Sequence, residues 1–146
     1  MTGGRRLIGQ LGVPLAPPEA FDLFTPVGER EWVHGWEPRF TRGMHDDTEP
    51  GTVFETEAHG RRTTWVVVSR DRPRSISYAR VTPGDRAGTV TVRVAPAAGF
   101  AEVEVEYALT ALVPEAEAGL AEFAAGYAEY LGAWERAIAE CVRRRA

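Results

Sequence analysis

The chain has 146 residues, with 17 basic and 21 acidic side chains and a formal net charge of −4; it contains no lysine and a single cysteine. Without lysine, the chain can form neither a Schiff base nor a P-loop phosphate site. One cysteine allows neither an internal disulfide nor a cysteine zinc cage.

The first third of the chain predicts one strand followed by two short helices. Residues 5–15 form the strand. Pro17 fits the first turn of the first helix. Backbone N–H groups in a first turn have no intrahelical acceptor, so proline, which has no N–H, loses no hydrogen bond there. Thr25 and Pro26 predict the cap and first position of the second helix, which ends near Trp32.

The middle of the chain predicts an antiparallel meander. After a polar, turn-rich loop over residues 43–51, short strand-like segments alternate with turns. Apolar and charged residues alternate in the last two segments, as in a sheet with one solvated face, and Arg93 should lie opposite Glu104 there. The strands are predicted at residues 51–58, 62–69, 75–81, 89–94 and 101–112.

From Pro114 onward the apolar residues recur at helical spacing. This pattern predicts one long amphipathic helix that reaches the C-terminus, with arginines at 143–145 where cations complement the helix dipole. We interpret its glycines as positions of kinks or close contacts. The apolar stripe consists of Leu120, Phe123, Tyr127, Leu131, Trp134, Ile138 and Cys141.

This order of elements resembles the helix-grip fold of the START-related, Bet v 1-like superfamily (SRPBCC), and in particular an uncharacterised bacterial, polyketide cyclase/dehydrase-like branch. The resemblance covers essentially all of residues 1–146 as one domain. It implies an α+β fold in which a curved antiparallel sheet of six or seven strands wraps around a long C-terminal helix, with two short helices after the first strand. The motifs that carry it are residues 21–29 with Trp32, Gly35, Trp36 and Pro38, then residues 51–56, Trp65, and Tyr78-x-Arg80-x-x-Pro83-Gly84.

In a helix-grip fold a cavity lies between the sheet and the long helix. Pairing the predicted strands places Phe54 opposite Trp65, and Trp65 in turn opposite Tyr78. The same pairing places Thr56 opposite Thr63, and Thr63 opposite Arg80. Phe54, Thr56, Trp65, Tyr78 and Arg80 then share one face, which must be the inner one because exposing three aromatic rings to water is costly.

Arg80 is the unusual residue on this face, because a buried arginine needs a partner. One interpretation is a cationic anchor for a ligand carboxylate or enolate, with Tyr78 and Tyr107 as hydrogen-bond donors. The other is structural: Arg80 pairs with a glutamate of the short helices, such as Glu31, or reaches the rim.

The aromatic side chains of the long helix, Tyr130 included, either line a ligand pocket or fill the core. Trp32 and Trp36 either gate the pocket mouth or anchor the short helices. The predicted ligand-binding residues are Trp36, Phe54, Trp65, Tyr78, Arg80, Tyr107, Phe123, Tyr127 and Trp134.

We predict no metal and no cofactor, and the sequence identifies no catalytic residue. His45, Asp46, Asp47 and Glu49 form a weak oxygen-rich cluster, but a solvated acidic loop explains them better than a metal site does. Cys141 lies on the apolar side of the helix and is expected to be a small buried side chain rather than a nucleophile.

The predicted partner is a hydrophobic small molecule, and the fold is also compatible with a homodimer. The net negative charge and scattered arginines argue against a nucleic-acid surface. We expect no signal peptide and no membrane span, and hence a cytoplasmic location, because the apolar runs are short.

Three functions fit the sequence. The first is binding of a hydrophobic small molecule, a lipid or an aromatic polyketide-like compound, which requires a cavity above roughly 300 Å³. The second is a cyclase- or hydrolase-type enzyme that uses Arg80 and tyrosines, which fails if a carboxylate seals Arg80 off. The third is a partner-binding module whose aromatic residues fill the core.

Overall fold

The computed structural model describes residues 4–145, which form one seven-stranded antiparallel sheet in the order β1-β7-β6-β5-β4-β3-β2. The helices are α1 (Pro17–Asp22), α2 (Glu117–Ala125) and α3 (Tyr127–Arg145), with 3-10 helices at Gly28–Glu31 and Pro114–Ala116. The strands are β1 (Arg5–Val13), β2 (Arg39–Phe40), β3 (Val53–Ala58), β4 (Arg61–Asp71), β5 (Ser75–Thr82), β6 (Arg86–Ala97) and β7 (Phe100–Ala111).

The sheet has one apolar and one charged face, as the alternation in the sequence predicts. In β6 and β7 the valines at 90, 92, 94, 103 and 105 are all buried, because successive side chains of a strand point to opposite faces. On the outer face Arg93 is paired with Glu104 in register, and its Nη1 donates to Glu104 Oε1 at 2.8 Å. The predicted α+β helix-grip arrangement is confirmed.

The predicted register between β4 and β5 is wrong by two residues. Trp65 lies opposite Arg80, not Tyr78, and Tyr78 lies opposite Val67. The turn is centred on Pro73 rather than on Asp71-Arg72, and an irregularity between Val67 and Ser69 partly compensates for that shift. Because the net displacement is even, every side chain stays on its predicted face.

The second short helix is shorter than predicted. It is the 3-10 helix Gly28–Glu31, so Pro26 precedes it instead of occupying its first position. Thr25 still helps to fix this segment, because its Oγ1 accepts the Gly28 N–H at 3.0 Å and donates to the Asp22 carbonyl at 2.9 Å.

The C-terminal helix is divided in two, which corrects the prediction of one continuous helix. Gly126 adopts φ −97° and ψ 12° and separates α2 from α3. α3 is joined to the edge strand β1 by a hydrogen bond of 2.7 Å from the Gly12 N–H to Glu135 Oε2. No helix within residues 4–145 is both long and apolar enough to cross a membrane.

Candidate functional site

A cavity of about 250 Å³ lies between the inner face of the sheet, α3 and the segment that follows α1. This volume is somewhat below the predicted minimum of roughly 300 Å³. The lining is mainly aromatic and aliphatic, with polar groups at separate points. The lining residues are Glu29, Val33, His34, Gly35, Trp36, Phe54, Thr56, Glu57, Ala58, Thr63, Trp65, Tyr78, Arg80, Val90, Val92, Tyr107, Tyr130 and Trp134.

The sheet side of the cavity is a cluster of interlocked rings. The rings of Phe54 and Trp65 are parallel, with centroids 5.8 Å apart, and Tyr78 meets both edge-on. The indole N–H of Trp65 donates to Thr56 Oγ1 at 3.0 Å, which satisfies the one polar group of that ring. Mutually packed rings of this kind hold a wall in one conformation.

Two tryptophans from the segment after α1 have different roles. The Trp32 indole donates to the Leu23 carbonyl at 2.7 Å and its ring packs on Trp134, so Trp32 anchors this segment without lining the cavity. Trp36 is anchored in the same way, to the Pro26 carbonyl at 2.7 Å, but it also packs against Trp65 and borders the cavity.

The exposed part of the lining marks the cavity mouth. His34 and Gly35 from the first segment and Glu57 and Ala58 from the end of β3 are exposed, whereas Phe54, Trp65 and Tyr78 are buried. A ligand would therefore enter between residues 34–36 and the β3–β4 hairpin.

Arg80 reaches the cavity from β5. One of its guanidinium nitrogens, Nη2, donates to Thr82 Oγ1 at 2.8 Å, and the guanidinium carbon lies 5.1 Å from the centroid of the Trp65 ring. Its Nε is buried and has no hydrogen-bond partner in the described part of the chain. Burial lowers the pKa of Arg80 from its ordinary value, although arginine stays charged in proteins.

The predicted structural partner of Arg80 is elsewhere. Glu31 pairs with Arg145 at 2.5 Å, at the C-terminal end of α3. Within residues 4–145, no carboxylate forms an ion pair with Arg80. The condition under which the enzymatic hypothesis would fail is thus not met.

The tyrosine hydroxyls differ in availability. Tyr78 donates to the Phe24 carbonyl at 2.8 Å, so its proton is already engaged, contrary to its predicted role as a donor to a ligand. Burial raises the pKa of Tyr107 well above its ordinary value, and the nearby hydroxyl of Tyr130 raises it further. Both of these tyrosines border the cavity and are neutral at neutral pH, and their hydroxyls interact with each other.

Glu29 is the site residue that the sequence analysis missed. It lies in the 3-10 helix and lines the cavity, where burial raises the pKa of its carboxyl group well above the ordinary value. In the described part of the chain its carboxyl group has neither an ion pair nor a hydrogen bond. Its place in the motif of residues 21–29 was the available signal, but periodicity gave no reason to prefer it to Glu31.

The structure brings together seven of the nine residues predicted to bind a ligand: Trp36, Phe54, Trp65, Tyr78, Arg80, Tyr107 and Trp134 all line the cavity. Phe123 and Tyr127 do not. Phe123 packs on Tyr107 and Tyr130, and the Tyr127 hydroxyl donates to the Val105 carbonyl at 2.6 Å. These two residues support the wall from behind, whereas Tyr130, one turn further along α3, faces the cavity.

The acidic loop has structural contacts instead of metal-ligand geometry. Asp46 pairs with Arg70 at 2.5 Å, and Asp47 Oδ2 accepts the Val27 N–H at 2.8 Å. No group of three or more potential ligands among residues 4–145 could hold a metal ion. Cys141 is buried, as predicted.

No protein-family model matches the sequence, and no curated protein matches it either. Solved structures do resemble it. They include MLL2253 from Mesorhizobium loti (TM-score 0.71, 15% identity, 97% of this chain and 99% of that one). CalU16 from Micromonospora echinospora has a TM-score of 0.67 and 20% identity, over 99% of this chain and 87% of that one.

A third similar structure is Ara h 8.0201, with a TM-score of 0.67 and 12% identity over 97% of this chain and 99% of that one. At identities this low, the similarity concerns the fold and not the activity. The chain has the Bet v 1-like helix-grip α+β fold.

Proposed function

We propose that this protein binds a hydrophobic small molecule in the cavity between the sheet and α3. The observation that carries the proposal is the cavity itself, with its volume of about 250 Å³ and its aromatic walls. Ligand sites are typically concave and mostly apolar, with a few placed polar groups. The cavity also argues against the third hypothesis, a partner-binding module with a filled core.

The volume favours a compact aromatic ligand over a long lipid chain. An engineered apolar cavity of about 150 Å³ takes up one benzene ring. A cavity of about 250 Å³ therefore has room for one or two fused rings with small substituents. Edge-on and stacked contacts with Trp36, Phe54 and Trp65 would hold such rings.

Native mass spectrometry of the freshly purified protein, compared with the denatured mass, tests this proposal. A retained mass that is lost on denaturation is the expected result. If the protein is isolated empty, titration calorimetry with 2-naphthol should show saturable one-to-one binding. An empty native mass together with no binding of 2-naphthol would overturn the proposal.

The same experiment addresses the cyclase- or hydrolase-type alternative, which the guanidinium of Arg80 supports because it has no ion pair within residues 4–145. Acid–base catalysis needs several groups within hydrogen-bond reach of one reacting atom. Arg80, Tyr107 and Tyr130 border the same space, but Tyr78 has its proton engaged elsewhere. If the bound compound is incubated with the protein and recovered with an altered mass, the result favours an enzyme. If the compound is recovered with its mass unchanged, the result favours binding.

A further inference from the structure

Two groups of opposite chemical character face the cavity without an ion-pair partner among residues 4–145. Arg80 extends from β5 over the Trp65 ring, and Glu29 extends from the 3-10 helix. They do not pair with each other. Desolvating a charged or strongly polar group without a partner costs several kcal/mol, so a site with two such groups is unlike a merely unfilled core.

Tyr107 and Tyr130 border the same cavity as the two groups. Both tyrosines are close enough to Glu29 for its charge to raise their pKa values, and close enough to Arg80 for its charge to lower them. Burial alone raises the pKa of the Glu29 carboxyl group, and no nearby cation lowers it. Glu29, Arg80 and the two tyrosines therefore border one shared space without an ion pair between the carboxyl group and the guanidinium.

The guanidinium of Arg80 has hydrogen-bond donors left with which to bind an anion. A guanidinium offers five N–H donors, of which one is used within the described chain, by Thr82. Its Nε is buried and has no hydrogen-bond partner among residues 4–145, and the Trp65 ring beside the guanidinium limits its motion. Arginine recognises carboxylates by two parallel hydrogen bonds, which a partly free and oriented guanidinium can supply.

We propose that the ligand is a small aromatic acid whose carboxylate pairs with Arg80 while a second polar substituent, a hydroxyl or carbonyl group, hydrogen-bonds to Glu29. This inference rests on the proposed function and specifies the ligand class of the same cavity. Arg80 then discriminates acids from neutral ring compounds, and Glu29 discriminates substituted from unsubstituted rings.

Calorimetric titration at pH 7 with three probes of one size tests the proposal: 6-hydroxy-2-naphthoate, 2-naphthoate and 2-naphthol. The wild-type protein should bind the two acids at least about tenfold more tightly than 2-naphthol, because a charge-assisted hydrogen bond is roughly twice as strong as a neutral one. It should bind the hydroxy acid more tightly than 2-naphthoate.

Arg80→Met should remove the preference for acids and leave the affinity for 2-naphthol within about threefold of wild type. The matched control is Arg86→Met. Arg86 is also largely buried, but it pairs with Asp85 at 2.8 Å and lies over Phe123, away from the cavity lining. This control should keep the preference for acids, and cooperative thermal unfolding of each variant checks that it is folded.

Glu29→Leu should remove the advantage of the hydroxy acid over 2-naphthoate, and Glu29→Gln, which keeps hydrogen-bonding capacity, should restore most of it. The inference is overturned if 2-naphthol binds but the acids do not, or if Arg80→Met and Arg86→Met behave alike. It is equally overturned if the hydroxyl advantage survives Glu29→Leu. If no probe binds to the wild type and the native mass is also empty, the proposed function fails with it.

Discussion

The polar residues of the cavity are destabilising for the unliganded fold. Arg80 Nε is buried without a partner, and the pKa of Glu29 is raised by burial with no nearby cation to lower it. Tyr78 and Trp65, in contrast, have their polar atoms satisfied by the Phe24 carbonyl and by Thr56. Unmatched polar groups that border a cavity are typical of binding sites.

The Glu29 carboxyl group should make folding stability depend on pH. Below the unfolded-state pKa of about 4.3 the group is protonated in both states. Above that pH the unfolded chain releases its proton while the folded chain retains it, so the free energy of unfolding falls as pH rises, by up to about 1.4 kcal/mol per pH unit, until the raised folded-state pKa is reached. Glu29→Gln cannot ionise and should abolish this loss.

Urea unfolding of wild type and Glu29→Gln at pH 4 and pH 8 measures the effect. The variant should gain stability relative to wild type at pH 8 and much less at pH 4. The control is Glu31→Gln in the same 3-10 helix, because Glu31 is exposed and paired with Arg145. If the free energies of unfolding of Glu29→Gln and wild type differ by the same amount at pH 4 and pH 8, the prediction is contradicted.

At the scale of secondary structure, the sequence predicted the β-strands well because residue alternation reports directly on burial. The β4–β5 register was harder to predict from the sequence. It depends on the turn around Pro73 and on the irregularity between Val67 and Ser69, and neither has a clear local pattern. The inner-face residues were nevertheless correct, since an even displacement conserves the face.

The division of the C-terminal helix explains the two misassigned site residues. A stripe drawn along one continuous helix puts Phe123, Tyr127 and Trp134 on one line. With the break at Gly126, Phe123 belongs to α2 and Tyr127 begins α3, where its hydroxyl is held by the Val105 carbonyl. Periodicity shows which residues are buried, but not which buried residues face empty space.

Two glycine-to-alanine substitutions should have opposite effects on stability. A methyl group at Gly126 would meet the Glu122 carbonyl oxygen at an ordinary 3.6 Å, whereas one at Gly88 in β6 would lie 1.9 Å from the Ala108 carbonyl oxygen. Gly126→Ala should therefore stabilise by about 0.4–1 kcal/mol, mainly by restricting the unfolded chain. Gly88→Ala should destabilise by roughly 1–3 kcal/mol or more.

Thermal unfolding of the two variants against wild type checks this contrast. A lower melting temperature for Gly126→Ala would show that the glycine is needed for the junction of α2 with α3. Unchanged stability for Gly88→Ala would show that β6 can move away from β7 at small cost.

For the molecule as a whole, the cavity is a property that no single segment carries. Its lining comes from the 3-10 helix, the following segment, five strands and α3. The fold implied that a cavity exists. Its volume, however, is the small difference between two larger volumes: the space that these elements enclose and the side chains that fill it. Sequence reasoning therefore placed seven of its nine predicted ligand-binding residues in the lining and still overestimated the volume.

Filling this space should stabilise the protein and abolish binding. Val90 lies in β6 between Tyr78 and Tyr107 and lines the cavity, so Val90→Phe should place its ring in empty space and gain about 0.5–2 kcal/mol. Val94 is a matched control, because it is equally buried on the same strand but does not border the cavity.

Val94→Phe should overpack a filled core and lose about 1–3 kcal/mol. Melting temperatures measured with and without saturating 2-naphthol distinguish wild type, Val90→Phe and Val94→Phe. A ligand that binds only the folded state adds about 2.7 kcal/mol at a hundred times its Kd, so wild type and Val94→Phe should both be stabilised by 2-naphthol. Val90→Phe should not respond. A response equal to that of wild type would mean that 2-naphthol binds outside the cavity, because a phenylalanine at position 90 leaves no room for both.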